Sequence, residues 1–590
     1  MWDTLVRPIH DHLPLWLLLW PMLGAVIVGV ARQVGAEAVR RTMQVNLCLS
    51  VALSVWLVVA YEPLKPVDSA EQAALLGPIE RFQFRDSFEW VGETKTALLE
   101  RTRRNGDRQV VEVPIRWGPD IRCEVGVDGI SIWFVALSVL LVAIAASGEW
   151  RVGSGEPNLP DSALRTPHSP LPWLWLQASL VGTFVALDVV LIVVCWMSTL
   201  LAVAWLMGQA GDSQRHDVTP RLLKRGWWGG WLVLLGLGGL VLAFGWLRPF
   251  PNRVETPLVF SIPELMAGIR QSSMSGESAL LWASVNNWLF WLLVVGFTGP
   301  LWLAPFHRGF VEAFASAPRG LAIVLAGVLL KVGVYGWLRF ILPLFPELVR
   351  QHGDGFTTLL GLSSLFAAVL AFGVSDWRRR IALATCSSIS LSLLGMTTLT
   401  LEGLTGGVLR LLSHGLTAGL LMWLLPSRSG EWLVASGEQD KSNATPVFSN
   451  SPLATHHSPL ISARWRVGLM RFALFAWIGL PGLGGFVAEF VTPFGLFQHD
   501  FNAAALSLAT SGVIAWMWVR AERDSPDWSH AGWSPRDTFV AAVLVTLNIG
   551  LGVAPQFVVD RVQPSLLSLL PMDREISATS SGTPPVAEVR

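Results

Sequence analysis

Apolar residues in this chain fall in long uninterrupted runs rather than in the short alternating pattern of a half-buried strand. A run of about 20 apolar residues crosses the hydrocarbon core of a bilayer as a helix, and only helices or closed barrels can span it. The pattern therefore predicts an all-α polytopic membrane protein with about fourteen spanning helices. Most of these spans are single runs: Leu15–Ala31, Gln44–Tyr61, Ile130–Ser147, Gly226–Leu247, Asn286–Ala304, Leu321–Phe345, Thr357–Ser375, Ile381–Leu399, Thr405–Leu425, Asn502–Arg520 and Thr538–Val558.

Two further apolar runs are too long for one straight helix. The run from Leu171 to Gly208 is best divided near Asp188 into two spans, and we expect Asp188 to lie at the hydrated membrane interface. The run from Val467 to Phe497 contains Leu-Pro-Gly at residues 480–482. Because proline removes a helical hydrogen bond and clashes with the preceding turn, we predict that this run is one broken helix.

The placement of arginine and lysine supports this number of spans. Cationic residues are concentrated in the odd-numbered loops counted from the first helix, whereas the short even-numbered loops carry few. By the positive-inside rule the odd loops are cytoplasmic and both termini lie on the opposite face. The first span is followed by basic residues instead of a small-residue cleavage site, so we expect a retained anchor. The cationic residues of the odd loops are Arg32, Arg40, Arg41, Arg151, Arg165, Arg215, Arg221, Lys224, Arg225, Arg308, Arg319, Arg378, Arg379, Arg380, Arg464, Arg466, Arg523 and Arg536.

Composition agrees with a membrane protein and excludes several other classes. Of 590 residues, 52% are hydrophobic and 15% are charged, whereas soluble domains carry about 25% charged residues. The 43 basic and 43 acidic residues balance, so no nucleic-acid partner is expected. The four cysteines show no C-x-x-C spacing, and the chain has no nucleotide-binding glycine motif. We therefore expect this chain to bind no metal, nucleotide, flavin or iron–sulfur cofactor itself.

Three polar stretches are predicted to be surface insertions: Gly92–Gly118, Gly153–Ser169 and Ser427–Arg464. The last two are rich in serine, proline, asparagine and threonine, and both carry Ser-Gly-Glu near the start and His-Ser-Pro-Leu near the end. This composition cannot bury a core. We therefore predict that they are linkers without chemistry.

Three ionisable residues are predicted to lie inside the membrane, where a charge costs of order 3 kcal/mol or more. Lys331 lies about midway along its predicted helix and is too deep to reach the interface easily. Glu489 follows the proline break, and broken helices form ion sites in transporters. His414 lies four residues after Arg410, on the same helix face, and a neutral imidazole can pass a proton between waters.

Each of these residues also has a structural interpretation. Lys331 could pair with a buried carboxylate, Glu489 could cap amides freed by the break, and His414 could simply be hydrogen-bonded. Asp188 has a stronger structural than functional interpretation. These residues alone indicate either ion translocation or a membrane scaffold.

Several longer strings match a known family. They are Val-Gly-Val-Asp-Gly-Ile-Ser at 125–131, Leu-Leu-Lys-Val-Gly-Val-Tyr-Gly-Trp-Leu-Arg-Phe-Ile-Leu-Pro-Leu-Phe-Pro-Glu at 329–347, Leu-Ser-His-Gly-Leu at 412–416 and Gly-Leu-Pro-Gly-Leu-Gly-Gly-Phe-Val-Ala-Glu-Phe at 479–490. Together they resemble the antiporter-like M subunit (chain 4 in the mitochondrial naming) of respiratory NADH–quinone oxidoreductase, complex I. The resemblance extends from about residue 126 to residue 497, and that family also has fourteen helices.

The resemblance implies a fold of two inverted five-helix repeats, each with a broken helix. It also implies that the chain carries protons across the membrane, while NADH, FMN, iron–sulfur clusters and quinone belong to partner subunits. The expected partners are other membrane-arm subunits of complex I and the lipid bilayer, in a bacterial-type cytoplasmic membrane. By motif match, Lys331, His414 and Glu489 resemble the family's central lysine, eleventh-helix histidine and twelfth-helix carboxylate. Asp188 and Arg410 are possible accessory residues.

On this scheme the chain divides into four parts. Residues 1–125 hold two helices and a polar non-cytoplasmic loop, and residues 126–350 hold the third helix and the first repeat. Residues 351–521 hold the second repeat with the polar insertion 427–464. Residues 522–590 hold the last helix and a tail that we expect to be disordered.

Three family positions differ in this sequence. Met197 stands where the family has a fifth-helix glutamate, and Pro300 stands where it has the seventh-helix lysine that pairs with that glutamate. Leu391 replaces a tenth-helix histidine. Loss of the Glu–Lys pair as a whole avoids a stranded buried charge, which would cost about 3–5 kcal/mol, so it favours a divergent working protein. Met197 and Pro300 cannot titrate. If the first repeat still moves protons, water or Asp188 would therefore have to control proton entry there in place of the family's Glu–Lys pair.

Three functions are therefore compatible with the sequence. The chain is a proton-translocating membrane-arm subunit of a complex I-like oxidoreductase, a structural subunit of that arm that no longer pumps, or a subunit of a multi-subunit cation/proton antiporter without redox partners. The similarity to the M type favours the first two.

Overall fold

The computed structural model describes residues 7–63, 81–102, 108–149, 169–209, 213–247, 258–272, 276–301, 303, 306–425, 459–523 and 534–570. Most of the predicted linkers 153–169 and 427–464, and the tail from residue 571, lie outside these described residues. The helices are α1 (Arg7–Asp11), α2 (Leu13–Val34), α3 (Ala36–Ala60), α4 (Ser131–Glu149), α5 (Leu171–Val185), α6 (Val189–Gly208), α7 (Ser213–Leu247), α8 (Ile262–Ser272), α9 (Gly276–Thr298), α10 (Arg308–Ser316), α11 (Arg319–Leu344, a composite helix), α12 (Pro346–Gln351), α13 (Gly353–Gly373), α14 (Trp377–Thr397), α15 (Leu401–Leu424), α16 (Pro459–Ile478), α17 (Gly484–His499), α18 (Phe501–Arg523), α19 (Pro535–Val553) and α20 (Gln556–Leu567).

The predicted polytopic helical fold is confirmed. Within the described residues, eleven helices are long and apolar enough to cross a membrane. The other predicted spans correspond to the 15-residue α5, to α9 and to the broken pair α16–α17. The division near Asp188 is also observed, because α5 ends at Val185 and α6 begins at Val189.

Four helices, α3, α7, α9 and α16, begin at least eight residues earlier than the hydropathy pattern predicts, and two of them illustrate the reason. Helix α7 begins at Ser213 instead of Gly226, and α16 begins at Pro459, inside the stretch 427–464 that was predicted to be a linker. In both cases polar residues continue the helix beyond the apolar run. Hydropathy marks the part of a helix that can lie in lipid, and it says nothing of the turns that extend beyond it.

The main correction to the predicted fold concerns the polar stretch 92–118. It lies within a long antiparallel hairpin formed by β1 (Gln83–Thr102) and β2 (Arg108–Val127), with Gln83 opposite Val127 and Thr102 opposite Arg108. The signal was present in the sequence, since Asn105-Gly106 separates two segments that contain β-branched residues. The predicted all-α class is therefore incomplete, because a two-stranded sheet occupies part of the polar loop that was predicted within residues 1–125.

The predicted break between α16 and α17 is confirmed. Helix α16 ends at Ile478 and α17 begins at Gly484, and Gly479 and Gly482 between them have φ of +83° and +86°. Only glycine adopts this left-handed region without steric cost. The chain can therefore reverse out of one helix and enter the next at this point.

Helix α11 is almost wholly buried and is not a regular α-helix. It contains one π-helical turn at Leu325–Leu329 and a second at Trp337–Ile341, with an α-helical segment, Leu330–Gly336, between them. π-Turns are rare and occur frequently at functional sites because they widen the helix and redirect backbone carbonyls. Lys331 lies directly after the first of them.

A buried ion pair fixes α11 against the start of α4. Arg339 Nη1 and Nη2 lie 2.8 and 3.3 Å from the two carboxylate oxygens of Asp128. The same guanidinium donates to the hydroxyl of Tyr335, and that hydroxyl donates to the backbone oxygen of Phe184 at 2.9 Å. Asp128 also accepts the Ser131 amide at 2.8 Å at the start of α4. The network thus joins α4, α5 and α11.

Loss of one member of this ion pair should destabilise the fold strongly. Arg339→Met leaves the Asp128 carboxylate buried without a counter-ion, so we expect a loss of about 3–5 kcal/mol. The double variant Arg339→Met/Asp128→Asn should recover most of it, because no charge is left unpaired. The midpoint of thermal unfolding of the purified protein in detergent measures both effects.

The exposed pair Arg471–Glu522 supplies the control. Its nitrogen–oxygen distance is 2.6 Å, but the two side chains are 56% and 31% exposed. Arg471→Met should therefore change stability by less than about 1 kcal/mol. A double variant at Asp128 and Arg339 that is no more stable than Arg339→Met would contradict the ion-pair interpretation.

Candidate functional site

The ammonium group of Lys331 is buried between a backbone carbonyl and a histidine. Its Nζ donates to Ala326 O at 3.1 Å and lies 3.5 Å from His414 Nδ1. The Ala326 carbonyl belongs to the first π-turn of α11. Lys331 is 0% exposed and His414 is 5% exposed. Among the residues that the structure describes, no carboxylate lies within ion-pair distance of Lys331, so the alternative of a carboxylate-paired lysine is not found there.

Two glycines allow α11 and α15 to approach closely enough for this contact. A Cβ atom on Gly415 would lie 3.0 Å from Gly327 O and 2.8 Å from Leu137 Cδ2. A Cβ atom on Gly327 would lie 2.3 Å from Leu141 Cδ1. Because Gly415 directly follows His414, this close approach brings the imidazole to the lysine.

The imidazole of His414 is further positioned by an aromatic ring. Trp477 of α16 packs edge-on against it, with the ring centroids 4.7 Å apart. Nδ1 faces Lys331, whereas Nε2 is buried and has no hydrogen-bond partner among the described residues. The two ring nitrogens therefore face different surroundings, as a group that accepts a proton at one atom and releases it at the other requires.

Glu489 forms a two-pronged ion pair with Arg410. Arg410 Nη1 lies 2.5 Å from Oε1 and Nη2 lies 3.0 Å from Oε2, while Ser511 Oγ donates to Oε2 at 2.6 Å. The predicted alternative of a carboxylate that caps freed amides differs from these observed side-chain partners. Gly479 at the helix break makes room for the carboxylate side chain, since a Cβ there would lie 2.8 Å from Glu489 Cγ.

A small cavity with both polar and apolar lining residues lies between His414 and Glu489. Its lining includes Arg410, Leu391 and five hydroxyl-bearing residues. A cavity needs polar partners to hold ordered water, and these hydroxyls supply them. The hydroxyl-bearing residues are Ser387, Ser388, Ser413, Thr417 and Ser511.

Of the three family positions that differ in this sequence, Leu391 lies at the cavity, whereas Met197 and Pro300 lie apart from it. Leu391 is buried in the cavity wall, at 2% exposure. Met197 lies on α6 against α7, since a Cβ on Gly230 would lie 2.2 Å from Met197 Cε. Pro300 is the middle residue of the 3₁₀ turn Gly299–Leu301 that follows α9.

The expected hydration of Asp188 is not observed. Asp188 is 1% exposed, and its Oδ1 accepts the amides of Val190 and Leu191 at 2.7 and 3.1 Å. The carboxylate is the N-cap of α6. Amides at a helix N-terminus replace water as its hydrogen-bond donors, which is why it can be buried. Lys331, His414 and Glu489 lie on three other helices.

Sequence reasoning missed the ion-pair partners within this membrane region. Arg339 lies eight residues after Lys331 in the same predicted span, and the cost of a charge in lipid was a sufficient signal that it needs a buried anion. Arg410 was placed on the face of His414, but its pairing with Glu489, which is 79 residues away, was not predicted. Within the described part of the chain, no group of three or more histidine, cysteine or acidic residues is placed to hold a metal ion.

The family of the chain follows from comparison with known sequences. The family described as NADH:quinone oxidoreductase/Mrp antiporter, transmembrane, matches residues 186–515, which is more than half of the chain. The chain belongs to this family. The matched region contains Lys331, Arg410, His414 and Glu489, and the resemblance to M subunits is confirmed.

Individual relatives agree with this assignment. Subunit M of NADH-quinone oxidoreductase from Rhodobacter capsulatus is 26% identical over 471 residues, which cover 77% of this chain and 83% of that protein. Respiratory complex I from Thermus thermophilus with bound NADH contains a chain with a TM-score of 0.64 at 22% identity, covering 94% of this chain and 100% of that one. A chain of the Mrp complex from Dietzia sp. DQ12-45-1b gives 0.63 at 14% identity, covering 97% and 99%. The two structures establish the predicted antiporter-like fold.

Replacement of Gly479 should disturb the Glu489 contact as well as the backbone. Gly479→Ala and Gly482→Ala both place a side chain at a left-handed φ and should each cost about 1–2 kcal/mol. Only Gly479→Ala also adds an atom 2.8 Å from Glu489 Cγ, whereas a Cβ on Gly482 meets nothing within 4 Å. We therefore expect a lower thermal unfolding midpoint for Gly479→Ala than for Gly482→Ala.

Gly373→Ala is the control for the substitution itself, because Gly373 has open space around its Cβ position and no positive φ. Its unfolding midpoint should be close to that of the unaltered protein. Equal midpoints for Gly479→Ala and Gly482→Ala would show that Gly479 does not position the carboxylate.

Proposed function

We propose that this chain is a membrane-arm subunit of a complex I-like NADH–quinone oxidoreductase. We further propose that it translocates protons where Lys331, in the last helix of the first repeat, meets His414 and Glu489 of the second repeat. The observation that carries the proposal is the burial of Lys331, without a carboxylate partner among the described residues, 3.5 Å from His414. A buried charge inside a membrane costs free energy, so a lysine in this position is a candidate for a functional residue.

The chemistry of the site is a proton transfer between two bases. A protonated Lys331 can donate to the neutral imidazole at Nδ1, and the imidazole can release a proton at Nε2 towards the cavity. This transfer leaves Lys331 neutral, so the ammonium is buried for only part of the cycle. The contact of 3.5 Å needs only a small movement to become a hydrogen bond of ordinary length.

The first repeat is proposed to lack the family's Glu–Lys pair and any substitute for it. Met197 and Pro300 carry no titratable group, and Asp188 is used as a helix cap. The ion pair between Asp128 and Arg339 is a fixed structural element with both charges satisfied. We therefore assign translocation to Lys331 together with the second repeat, and we retain the division of the chain at residues 125, 350 and 521.

The redox chemistry is proposed to lie in partner subunits. NADH, FMN, iron–sulfur clusters and quinone would be bound there, and this chain would contact other membrane-arm subunits and lipid. The name of the Rhodobacter capsulatus relative supports this assignment. The arginine-rich odd loops support an orientation with both termini on the non-cytoplasmic side. The bacterial relative supports a bacterial-type cytoplasmic membrane.

Substitution of Lys331 tests the translocation role. We expect a complex with Lys331→Ala to assemble and oxidise NADH but to lose most of its proton translocation per NADH, measured by the quenching of a pH-sensitive dye in inverted vesicles. Lys224→Ala removes an exposed lysine instead and should leave the ratio unchanged. An assembled Lys331→Ala complex that pumps normally would support the non-pumping structural subunit instead.

Purification in mild detergent tests the partnership. A tagged chain taken from native membranes should retain flavin, iron–sulfur clusters and NADH:quinone activity. An intact assembly without redox centres that exchanges cations for protons would instead support the antiporter alternative. The Dietzia Mrp chain shares the fold of this protein, which is why that outcome is included.

A further inference from the structure

The carboxylate of Glu489 is held by a permanent cation, and this restricts what it can do in a proton pathway. We propose that Glu489 is the fixed counter-ion of Arg410 and that this pairing keeps Glu489 ionised throughout the cycle. Protons that leave His414 then travel through the cavity along its hydroxyl groups without binding to Glu489. This inference rests on the proposed function, since it assigns a role within the translocation site.

The geometry of the pair supports a fixed charge. Both oxygens of Glu489 accept from the guanidinium of Arg410, at 2.5 and 3.0 Å, and Ser511 adds a third hydrogen bond at 2.6 Å. Guanidinium groups stay protonated in proteins, and two-pronged bonds to carboxylate are among the strongest that proteins form. A proton that reached either oxygen would have to displace one of these donors.

Burial makes the pair harder to separate. Arg410 is 3% exposed, and its Nε has no acceptor among the described residues. If Glu489 became neutral, the guanidinium would be left buried without an anion, next to His414 and near Lys331. The cost of an unpaired buried charge is larger than that of a neutralised pair. With both charges retained, the pair is neutral as a unit, so the transported proton alone changes the charge of the site.

The cavity offers a path that does not need the carboxylate. His414 lines it, and the imidazole Nε2 has no hydrogen-bond partner among the described residues. A hydroxyl group both donates and accepts, so serine and threonine side chains together with water can pass a proton from one to the next. In one transfer the imidazole gains a proton from Lys331 at Nδ1 and loses the proton that it carried at Nε2, and the ring must return to its first tautomer before the next transfer. Ser511 lies where this cavity meets Glu489.

A charge-removal pair distinguishes a counter-ion from a proton carrier. Glu489→Gln leaves Arg410 unpaired, so we expect proton translocation to slow at least about tenfold. Arg410→Gln/Glu489→Gln removes both charges, so no buried charge is left unpaired and translocation should be several-fold faster than in Glu489→Gln. If Glu489 binds and releases the transported proton, the double variant will be as impaired as Glu489→Gln. The matched control is Arg471→Gln/Glu522→Gln at the exposed pair, which should have no effect.

A second measurement is made on the unaltered complex and needs a variant, the conservative Glu489→Asp, only to assign a band. Infrared difference spectra of the unaltered complex, recorded between turnover and rest, should contain no protonated-carboxyl band that shifts when glutamate is isotopically labelled and that is absent in Glu489→Asp. Such a band would overturn the proposal, because it would show that Glu489 takes up a proton.

Failure of this inference can be told apart from failure of the proposed function. Lys331→Ala is measured in the same vesicles. If Lys331→Ala abolishes translocation while the assembled double variant stays as impaired as Glu489→Gln, only the counter-ion role is wrong. If Lys331→Ala pumps normally, the translocation site itself is wrong, whatever the double variant does.

Discussion

The high cost of an isolated charge in a low-dielectric interior governs the arrangement of this molecule. Two cations, Arg339 and Arg410, lie deep in the fold, and each is met by a carboxylate with two hydrogen bonds. Lys331 is treated differently, because its observed partners are a backbone carbonyl and a neutral base. An arginine is a permanent charge, whereas a lysine can become neutral. Among these three residues, the two permanent charges are paired with carboxylates, and the one that can become neutral is not.

Buried charges serve two purposes in this chain. The Asp128–Arg339 pair joins α4 to α11, and Asp188 caps α6. The close contact of α11 with α15 instead brings two bases together beside a cavity. Family membership by itself does not specify this division of labour, since it depends on the neutral residues Met197 and Pro300.

The sequence was sufficient for features that depend on local composition. Long apolar runs predicted the helices, Leu-Pro-Gly at 480–482 predicted the break, and depth within a span marked Lys331. Features that depend on distant contacts were out of reach. The pairing of Arg410 with Glu489 joins helices α15 and α17, and the burial of Asp188 depends on how the chain folds around α6. The hairpin could have been predicted, because Asn105-Gly106 is a local turn signal, but polar composition was given more weight.

The π-turns of α11 determine where the length of this helix can change. Each π-turn accommodates one residue more than an α-helical turn. Removal of one residue from Leu325–Leu329 would convert it to an α-helical turn and leave the segments on both sides in nearly the same orientation. Removal of one residue after Lys331 within Leu330–Gly336 would instead rotate Lys331 relative to Arg339 by about 100°. Loss of a residue from this helix is therefore expected at the π-turns, with the segment between Lys331 and Arg339 kept at constant length.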